Sequence, residues 1–335
     1  MHLGIVGATG AVGVEIISVL SRRSFPVTEI TLYASKRSIG KIIVTPYGNL
    51  VINEFTVDKA REMDIVFLAV SSNFALEYAP LIAAKGGAIV IDNSSAFRYG
   101  AGYPLCIPEI NPEVIRGTRI IANPNCTTAI AAVVLWPLHR KYKLKKIILS
   151  SYQASSGAGA DGIRELKDGV AQVLAGKVCP TNVFSHPLAF NVIPHIDKFQ
   201  ENGYTKEEMK VVWETLKIFG LDSNNIKISC TAVRVPTIRA HAEAITIETE
   251  EIIPPGEARE LLRTCAGVSV IDDPKQLQYP TPVVASEKFD VQVGRIRQSL
   301  VFGKNGLELF VCGDQLLKGA ALNAVQIAEC LSLNR

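Results

Sequence analysis

Residues 2–20 read HLGIVGATGAVGVEIISVL, and this stretch decides the fold. His2–Val6 is a near-continuous apolar run, as in a strand that is covered on both faces of a sheet. The GATGAVG turn follows, and Val12–Leu20 then carries apolar residues at helical spacing. Glycines let the chain turn sharply and let its backbone approach a pyrophosphate at a helix N-terminus. The stretch predicts the first unit of a dinucleotide-binding sheet, although a tight strand-to-helix turn without a ligand would share this spacing.

The same rhythm of apolar strand and helix continues through the first 125 residues. Further strands are predicted at Glu29–Ala34, Ile65–Val70, Ala88–Ile91 and Arg119–Ala122. Alternating strands and helices are typical of a parallel sheet with helices on both faces. The fold class predicted here is therefore α/β, with a Rossmann-type, doubly wound parallel sheet.

Residues 145 to about 310 have a different organisation, in which strand-like runs are mixed with helices. The strands are predicted at Lys146–Tyr152, Ile226–Val235, Ala244–Thr249 and Asp290–Gln298, and the helices at Ala160–Leu174, Lys206–Phe219 and Gly256–Ala266. This pattern predicts an α+β domain with a mixed sheet. The tail Gly319–Leu331 is helical and apolar, and we expect it to dock on the first domain. The predicted domains are residues 1–125 with 311–335, and residues 126–310.

Composition excludes several classes of protein. The 335 residues are 48% hydrophobic with a net charge of +3, so a nucleic-acid partner is not expected. No apolar run reaches about 18 residues, and the N-terminus has no signal-peptide pattern, so we expect no membrane partner and a cytoplasmic location. Seven scattered cysteines without paired Cys or Cys/His spacing predict neither disulfides nor a metal site.

The segment after the second predicted strand indicates which dinucleotide is bound. Sites that prefer NAD usually carry an acidic residue there, which holds the ribose 2′-hydroxyl. Here the chain has Ser35, Lys36, Arg37 and Ser38 and no acidic residue. A cation at this position can pair with the 2′-phosphate of NADP. A solvated basic loop is the alternative, but its position after the glycine turn favours NADP.

Cys126 is the strongest candidate for a nucleophile. It follows Asn123-Pro-Asn at the predicted start of the helix Ala129–Leu135. A thiol at a helix N-terminus feels the positive end of the helix dipole, which favours the reactive thiolate. His241 is a candidate acid/base, but its position in the sequence does not show whether it meets Cys126.

These and other segments together resemble the aspartate-β-semialdehyde dehydrogenase family. The resemblance spans the whole chain in order and rests on GATGAVG (7–13), DNSSAFR (92–98), PNCTT (124–128), SYQASSGAG (151–159), WETLK (213–217), RVPTIRAH (234–241) and DQLLKGAALNAVQ (314–326). It implies reversible, NADP- and phosphate-dependent interconversion of aspartyl phosphate and aspartate semialdehyde, for lysine, threonine, methionine and diaminopimelate synthesis. It also implies a homodimer or homotetramer formed through the second domain, which would then be both catalytic and dimerising.

The resemblance also implies residue roles. Cys126 would be the nucleophile, His241 the acid/base and Gln153 the group that orients a thioester. The substrate and phosphate would be bound by Arg98, Asn125, Glu214, Lys217 and Arg234. The cofactor would be bound by Gly7, Thr9, Gly10, Ala11, Val12, Ser35, Arg37, Ser38, Ser71, Ser156, Gly157 and Gln315.

Some of these residues have simpler interpretations. Glu214 and Lys217 are three apart on one helix face, and without the resemblance a surface ion pair is the preferred interpretation. An exposed loop cation is the alternative for Arg98, but its position beyond the carboxyl end of a predicted parallel strand favours a ligand site. Arg234 and His241 are seven apart, which places them on opposite faces of an unbroken strand, so Pro236 must break the strand if both reach one site.

The sequence departs from the usual family pattern at a few positions. Ser71 and Ser72 stand where the family commonly has glycines, Ala242 replaces the usual Ser after the histidine, and Lys36 is an added cation. An N-acetyl-γ-glutamyl-phosphate reductase and a non-catalytic NADP-binding Rossmann protein remain alternatives. A phosphorylating glyceraldehyde-phosphate dehydrogenase is disfavoured, because its cysteine motif is SCTTN.

Overall fold

The structure is a computed structural model that describes residues 1–332. The chain divides into two compact units, one comprising Met1–Asn125 with the segment from Gly319 onward, the other comprising Cys126–Lys318. The seven strands of the first unit are β1 (His2–Val6), β2 (Glu29–Tyr33), β3 (Ile42–Thr45), β4 (Gly48–Asn53), β5 (Ile65–Leu68), β6 (Ile89–Asp92) and β7 (Ile120–Ala122). Its helices before residue 126 are α1 (Ala11–Arg22), α2 (Val57–Arg61) and α3 (Ser72–Ile82).

The sheet of the first unit has the strand order β3-β4-β2-β1-β5-β6-β7. All neighbouring strands are parallel except the hairpin β3–β4. Strand β5 and all of β1 after His2 are buried, and Leu3, Ile5 and Phe67 are inaccessible to solvent. The predicted Rossmann-type sheet is confirmed, and the hairpin at one edge is an addition that the sequence pattern did not indicate.

The second unit combines a six-stranded mixed sheet with five helices. The strands are β8 (Leu144–Gln153), β9 (Lys227–Arg234), β10 (His241–Thr249), β11 (Val268–Val270), β12 (Val291–Ser299) and β13 (Gly303–Gly313). The helices are α4 (Cys126–Tyr142), α5 (Gly159–Leu174), α6 (Lys206–Phe219), α7 (Pro255–Arg263) and α8 (Pro282–Ala285).

The order of this second sheet is β11-β12-β13-β10-β8-β9. Strands β8 and β9 are parallel, as are β11 and β12, and the other neighbours are antiparallel. The predicted mixed sheet is therefore confirmed. Helix α4 packs across one face of this sheet and contacts β8, β10, β12 and β13. Its side chains are apolar nearly all round the helix, as expected of a central core element.

The sequence pattern missed β13, the longest strand in the described part of the chain. Because β13 pairs with both β10 and β12, it holds its residues in the second unit, which extends to Lys318. The first unit resumes at Gly319, eight residues after the boundary predicted at residue 311. After a π-helical turn at Leu317–Ala321, helix α9 (Leu322–Ser332) packs in the first unit, where Arg23 pairs with Glu329 at 2.6 Å.

Candidate active site and cofactor site

The glycine turn of the first unit has the geometry of a phosphate cradle. Gly7 has a φ of +90°, and a Cβ at this position would overlap the carbonyl oxygen of Ala69, which follows β5. A Cβ at Gly13 would overlap the carbonyl oxygen of Gly7. Gly10 precedes α1 and brings no side chain to the first turn of that helix. The turn lies between the carboxyl ends of β1 and β5, where the strand order reverses and such sheets bind ligands.

The other predicted cofactor residues of this unit lie at neighbouring strand ends. Lys36–Ser38 forms a short 3-10 turn after β2, and Arg37 is exposed there, as are Ser35 and Thr9. Ala11 and Val12 form the first turn of α1 and are partly exposed. Ser71 accepts a hydrogen bond from the N–H of Phe74 at 3.4 Å and so caps α3. This cap is a structural role for Ser71 that the sequence pattern did not indicate.

Arg98 follows β6 and is buried rather than exposed, so its interpretation as an exposed loop cation is wrong. Its Nε donates to the carbonyl oxygen of Asn123 at 2.8 Å, and its Nη2 donates to that of Asn93 at 2.9 Å. These bonds hold the guanidinium at the carboxyl ends of β6 and β7. Asn125, also buried, lies two residues beyond Asn123. Both predicted anion-binding residues therefore lie at the sheet edge where α/β proteins bind ligands.

In the second unit, Cys126 is the first residue of the 17-residue helix α4 and is partly accessible. The helix begins three residues earlier than the sequence pattern predicted, which places the thiol directly at its positive end. The next residue, Thr127, accepts a hydrogen bond from Nε2 of Gln153 at 2.9 Å. This bond ties the start of α4 to the end of β8.

Gln153, Arg234 and His241 lie in one row across three neighbouring strands. Gln153 pairs with Arg234 in the parallel register of β8 and β9. Tyr152 pairs with Ala242 in the antiparallel register of β8 and β10, so His241 lies opposite Gln153. The chain between Arg234 and His241 leaves the sheet, as the proline at 236 required, and the two residues belong to different strands. The sequence could not show this convergence, because it depends on strand order.

Two of these side chains lie close to Gly157. A Cβ on Gly157 would lie 2.6 Å from Nη1 of Arg234 and 3.3 Å from Cε1 of His241. Arg234 also donates from Nη1 to the carbonyl oxygen of Ala154 at 2.6 Å. Gly157 therefore packs against the candidate acid/base and the candidate carboxylate-binding group, and any side chain at this position would displace one of them.

The ring of His241 is fully buried, and its tautomer follows from one hydrogen bond. The N–H of Ala154 donates to Nδ1 at 3.1 Å, so the neutral ring carries its proton on Nε2. Nε2 has no hydrogen-bond partner among residues 1–332. Burial, and then the positive charge of Arg234, lower the pKa of His241 to about 3. The ring is therefore neutral at pH 7, with a proton donor available at Nε2.

Helix α6 contributes an acidic residue that sequence reasoning missed. Glu207 is buried, and its Oε1 accepts a hydrogen bond from Nε2 of Gln153 at 3.2 Å. Its negative charge opposes the effect of burial on the pKa of both Arg234 and His241. Glu207 lies seven residues before Glu214 and thus on the same helix face, and that spacing was the available signal.

Glu214 and Lys217 both lie on α6, as predicted. Glu214 is inaccessible to solvent, so its interpretation as half of a surface ion pair is wrong. Lys217 is half-buried, and burial lowers the pKa of its ammonium while the charge of Glu214 acts in the opposite direction. The same helix therefore brings the buried carboxylates of Glu207 and Glu214 and the half-buried ammonium of Lys217 to this unit.

Ser156 and Gln315 contact each other directly. Nε2 of Gln315 donates to the hydroxyl of Ser156, and Oε1 of Gln315 accepts from the N–H of Ala240 at 2.8 Å. Both side chains are buried. The two predicted cofactor residues therefore also connect the Ser155–Ala158 turn to the residue before His241.

Glu243 is a second buried acid that sequence reasoning missed. It lies two residues after His241 on the same face of β10, and neither carboxylate oxygen has a hydrogen-bond partner in the described chain. Burial raises the pKa of its carboxyl well above the usual value and so favours the neutral form.

Among residues 1–332, no cluster of His, Cys, Asp and Glu could hold a metal ion. No helix in the same range is long and apolar enough to span a membrane.

Several known proteins are similar to this chain over nearly its whole length. Residues 2–118 match the family model "Semialdehyde dehydrogenase, NAD binding domain", and residues 135–318 match "Semialdehyde dehydrogenase, dimerisation domain". An aspartate-semialdehyde dehydrogenase of Aquifex aeolicus is 45% identical, covering 98% of this chain and 97% of that protein. An aspartate-semialdehyde dehydrogenase of Prochlorococcus marinus is 41% identical, covering 99% of this chain and 96% of that protein. The solved aspartate semialdehyde dehydrogenase II of Vibrio cholerae, complexed with ASA, superposes with a TM-score of 0.94 at 41% identity, covering 99% of this chain and 98% of that one.

Proposed function

The chain belongs to the aspartate-semialdehyde dehydrogenase family, and from this premise we propose that it reduces L-aspartyl-4-phosphate to L-aspartate-4-semialdehyde. The reaction is reversible, NADP-dependent and phosphate-dependent, and it passes through a thioester on Cys126. Its products feed lysine, threonine, methionine and diaminopimelate synthesis. The observation that carries the proposal is the row of Gln153, Arg234 and His241 in the unit whose helix α4 begins with Cys126.

The residues of the first unit fit a dinucleotide phosphate cofactor. The glycine turn has no room for a side chain at Gly7 or Gly13, and it leads into the first turn of α1 without a side-chain cap. Arg37 and Lys36 are exposed in the turn after β2, where no carboxylate is present to hold a ribose 2′-hydroxyl. We therefore propose NADP(H), with its 2′-phosphate against Arg37, Ser35 and Ser38. When bound, NADPH supplies the hydride that reduces the thioester.

The charges of the proposed binding residues complement those of the substrate. Aspartyl phosphate carries one ammonium, one carboxylate and one phosphoryl group. We assign the ammonium to Glu214, the carboxylate to Arg234, and the phosphoryl group to Arg98 and Lys217 with Asn125. Arginine suits planar anions, because its guanidinium can donate two parallel hydrogen bonds.

Cys126 acts first, in its thiolate form, which the N-terminus of α4 and the nearby charge of Arg234 stabilise. The sulfur attacks the acyl carbon, the bond from that carbon to the phosphate oxygen breaks, and phosphate leaves. The resulting thioester accepts a hydride more readily than a carboxylate would, so one difficult step becomes two easier ones. Gln153, held by Thr127 and Glu207, orients this intermediate.

The reduced intermediate is a hemithioacetal with negative charge on oxygen. Donors for this charge are available from the backbone N–H of Cys126 and its neighbour at the helix start and from Nε2 of His241. The oxygen–carbon double bond then forms, the carbon–sulfur bond breaks, and His241 supplies the proton to sulfur. The free aldehyde leaves and the thiol is restored.

Substrate binding prepares His241 for this role. In the unliganded site the positive charge of Arg234 helps to keep the ring neutral. A substrate carboxylate paired with Arg234 offsets that charge, which raises the pKa of His241 and makes proton transfer by the ring easier.

Two other functions compete with this proposal. An N-acetyl-γ-glutamyl-phosphate reductase would act on an acylated amine, and the inaccessible carboxylate of Glu214 would then have no ammonium to bind. A non-catalytic NADP-binding protein would not require the row of Gln153, Arg234 and His241. The buried acid and this row therefore favour the aspartyl substrate.

The experiment that tests the proposal is NADPH formation from L-aspartate-4-semialdehyde by the purified protein, with and without inorganic phosphate. We expect phosphate-dependent turnover that is lost in Cys126→Ala and kept in Cys179→Ala, which removes another partly accessible thiol of the same unit. No turnover with this substrate, but turnover with N-acetylglutamate semialdehyde, would identify the competing enzyme. No turnover with either, despite NADP binding, would identify the non-catalytic protein.

We also propose a cytoplasmic homodimer or homotetramer assembled through the second unit. The family model that matches this part of the chain is described as a dimerisation domain. The face of β8 opposite the active-site row exposes Ile148 and Tyr152, by 48% and 38%. Sedimentation of the protein, compared with an Ile148→Glu variant, tests whether this face forms the interface.

A further inference from the structure

The backbone immediately before His241 adopts an unfavourable conformation. Ala240 has a φ of +67°, in the left-handed region that residues with a Cβ seldom adopt, and it is fully buried. Such a conformation persists only where surrounding groups hold it, and it is commonly found at functional sites. The direction in which the His241 side chain leaves the strand depends on it.

Two consecutive side chains after β13 hold this segment. Oδ2 of Asp314 accepts from Nε of Arg239 at 2.6 Å, and Oε1 of Gln315 accepts from the N–H of Ala240 at 2.8 Å. Asp314 is itself fixed by the backbone N–H groups of Glu287 at 2.7 Å and Leu316 at 2.9 Å. Both residues are almost completely buried, with 1% and 3% of their surface exposed. Buried, fully partnered groups of this kind resist displacement.

The contacts occur where the backbone pairing of two strands ends. His241 and Gly313 are the terminal pair of the antiparallel β10–β13 ladder. Beyond this pair the chain turns at Ala240. Hydrogen bonds from the side chains of Asp314 and Gln315 to residues 239–240 take the place of further backbone pairing. Gly313 has no room for a side chain, since a Cβ would lie 2.8 Å from Ile130 of α4. The end of β13 is therefore fixed against α4 on one side and fixes residues 239–240 on the other.

The side-chain nitrogens of His241 have few hydrogen-bond partners. Nδ1 accepts one hydrogen bond from Ala154, and Nε2 has no partner within the described residues. Gln315 also donates to Ser156, next to Gly157, which packs against the ring. One amide thus fixes both the backbone that carries the ring and the turn that contacts it.

We propose that Asp314 and Gln315 are positioning residues that hold Ala240 in its left-handed conformation and thereby aim Nε2 of His241 at the reacting groups. This inference rests on the proposed function of His241. It assigns to Gln315 a role in the chemical step that is separate from contact with the cofactor, and it assigns a role to Asp314.

The test uses glycine, which adopts a left-handed conformation without steric cost, at position 240. We expect Gln315→Ala to lower kcat at least tenfold, because Ala240 then relaxes towards negative φ and displaces the ring. Ala240→Gly alone should change kcat less than twofold. The double variant should recover at least threefold of the lost kcat, and the pH dependence of kcat, shifted in Gln315→Ala, should return towards that of the wild type.

Asp314→Asn separates this role from cofactor contact and from a folding defect. It keeps the size of the side chain and leaves Gln315 in place, but it removes the charge that binds Arg239. We expect a lower kcat with an unchanged KM for NADP, and again a recovery on adding Ala240→Gly. The proposal is overturned if Gln315→Ala raises only the KM for NADP, or if glycine at 240 rescues neither variant.

Failure of this inference is distinguishable from failure of the proposed function. If the wild-type protein lacks phosphate-dependent turnover of the semialdehyde, or if Cys126→Ala retains it, then the proposed function fails. If both of those results are as expected and only the rescue by Ala240→Gly is absent, the positioning role alone is wrong.

Discussion

The candidate site of the first unit is formed mainly by backbone groups, and that of the second unit by side chains. In the first unit the candidate cofactor site consists mainly of backbone, namely a glycine turn and the start of α1, and the side chains around it are exposed or partly exposed. In the second unit the site consists of buried side chains, among them Gln153, Arg234 and His241, which lie in one row across three strands. A backbone site tolerates changes in neighbouring side chains but not in its glycines, whereas a side-chain site depends on each member.

The largest effect is expected from the side-chain site. His241→Asn removes the Nε2 donor, so kcat should fall by about 10²–10⁴-fold, the usual contribution of a positioned acid/base. The KM for NADP should change little, since the glycine turn is unaffected. Steady-state kinetics of His241→Asn and of His186→Asn, an exposed histidine of the same unit, provide the measurement. Equal activity of the two variants would remove His241 from the mechanism.

The contrast between the backbone site and the side-chain site also explains which features could be predicted from the sequence. The glycine turn and the Cys126 helix start are local signals, because a few consecutive residues determine both the conformation and its chemistry. The strands of the Rossmann-type sheet are apolar runs that propensity and burial specify together. These features were readable without a structure.

The arrangement of the second unit was not readable in this way. Arg234 and His241 lie in one row because β8 lies between β9 and β10, an order that depends on long-range pairing. Glu214 is buried in the folded chain, although its charge and its spacing from Lys217 favoured an exposed ion pair. Strand β13 was missed because its sequence, GKNGLELFVCG, begins with polar residues and glycines that are typical of a loop. The resemblance to a family supplied the roles of these residues before geometry could.

The stability of glycine variants tests the backbone site, that is, the glycine turn after β1. Gly13→Ala places a Cβ against the carbonyl oxygen of Gly7, so the turn must shift, and we expect a loss of about 3 kcal/mol of unfolding free energy. Gly102→Ala is the matched control, since a Cβ there meets nothing within 4 Å. Urea unfolding monitored by circular dichroism measures both. If Gly13→Ala is as stable as the control, then the close approach of backbone in this turn is wrong.

The pH dependence of stability tests the burial of the side-chain site. The pKa of His241 is lowered from 6.5 to about 3 in the folded protein, so as pH falls below 6.5 the unfolded chain binds a proton that the folded chain does not. Stability therefore decreases with falling pH through this histidine, by about 2 kcal/mol between pH 7.5 and pH 5.

The measurement compares urea unfolding of the wild type and His241→Asn at these two pH values. Other groups titrate equally in both proteins, so the difference between their losses of stability isolates His241. The variant should lose about 2 kcal/mol less than the wild type. A loss of the same size in both proteins would mean that the imidazole is solvated and charged in the folded state.

The smallest effect on activity is expected from Arg37, a side chain at the candidate cofactor site of the first unit. Arg37 is exposed, so its contribution is limited to charge-assisted hydrogen bonds with a 2′-phosphate, and Arg37→Ala should raise the KM for NADP by about tenfold. The KM for NAD, which lacks this phosphate, should not change, and neither should kcat. Lys41→Ala, which removes another exposed cation of the same unit, is the control. If the KM values for NADP and NAD rise together in Arg37→Ala, the residue supports the fold of the turn after β2 and does not read the phosphate.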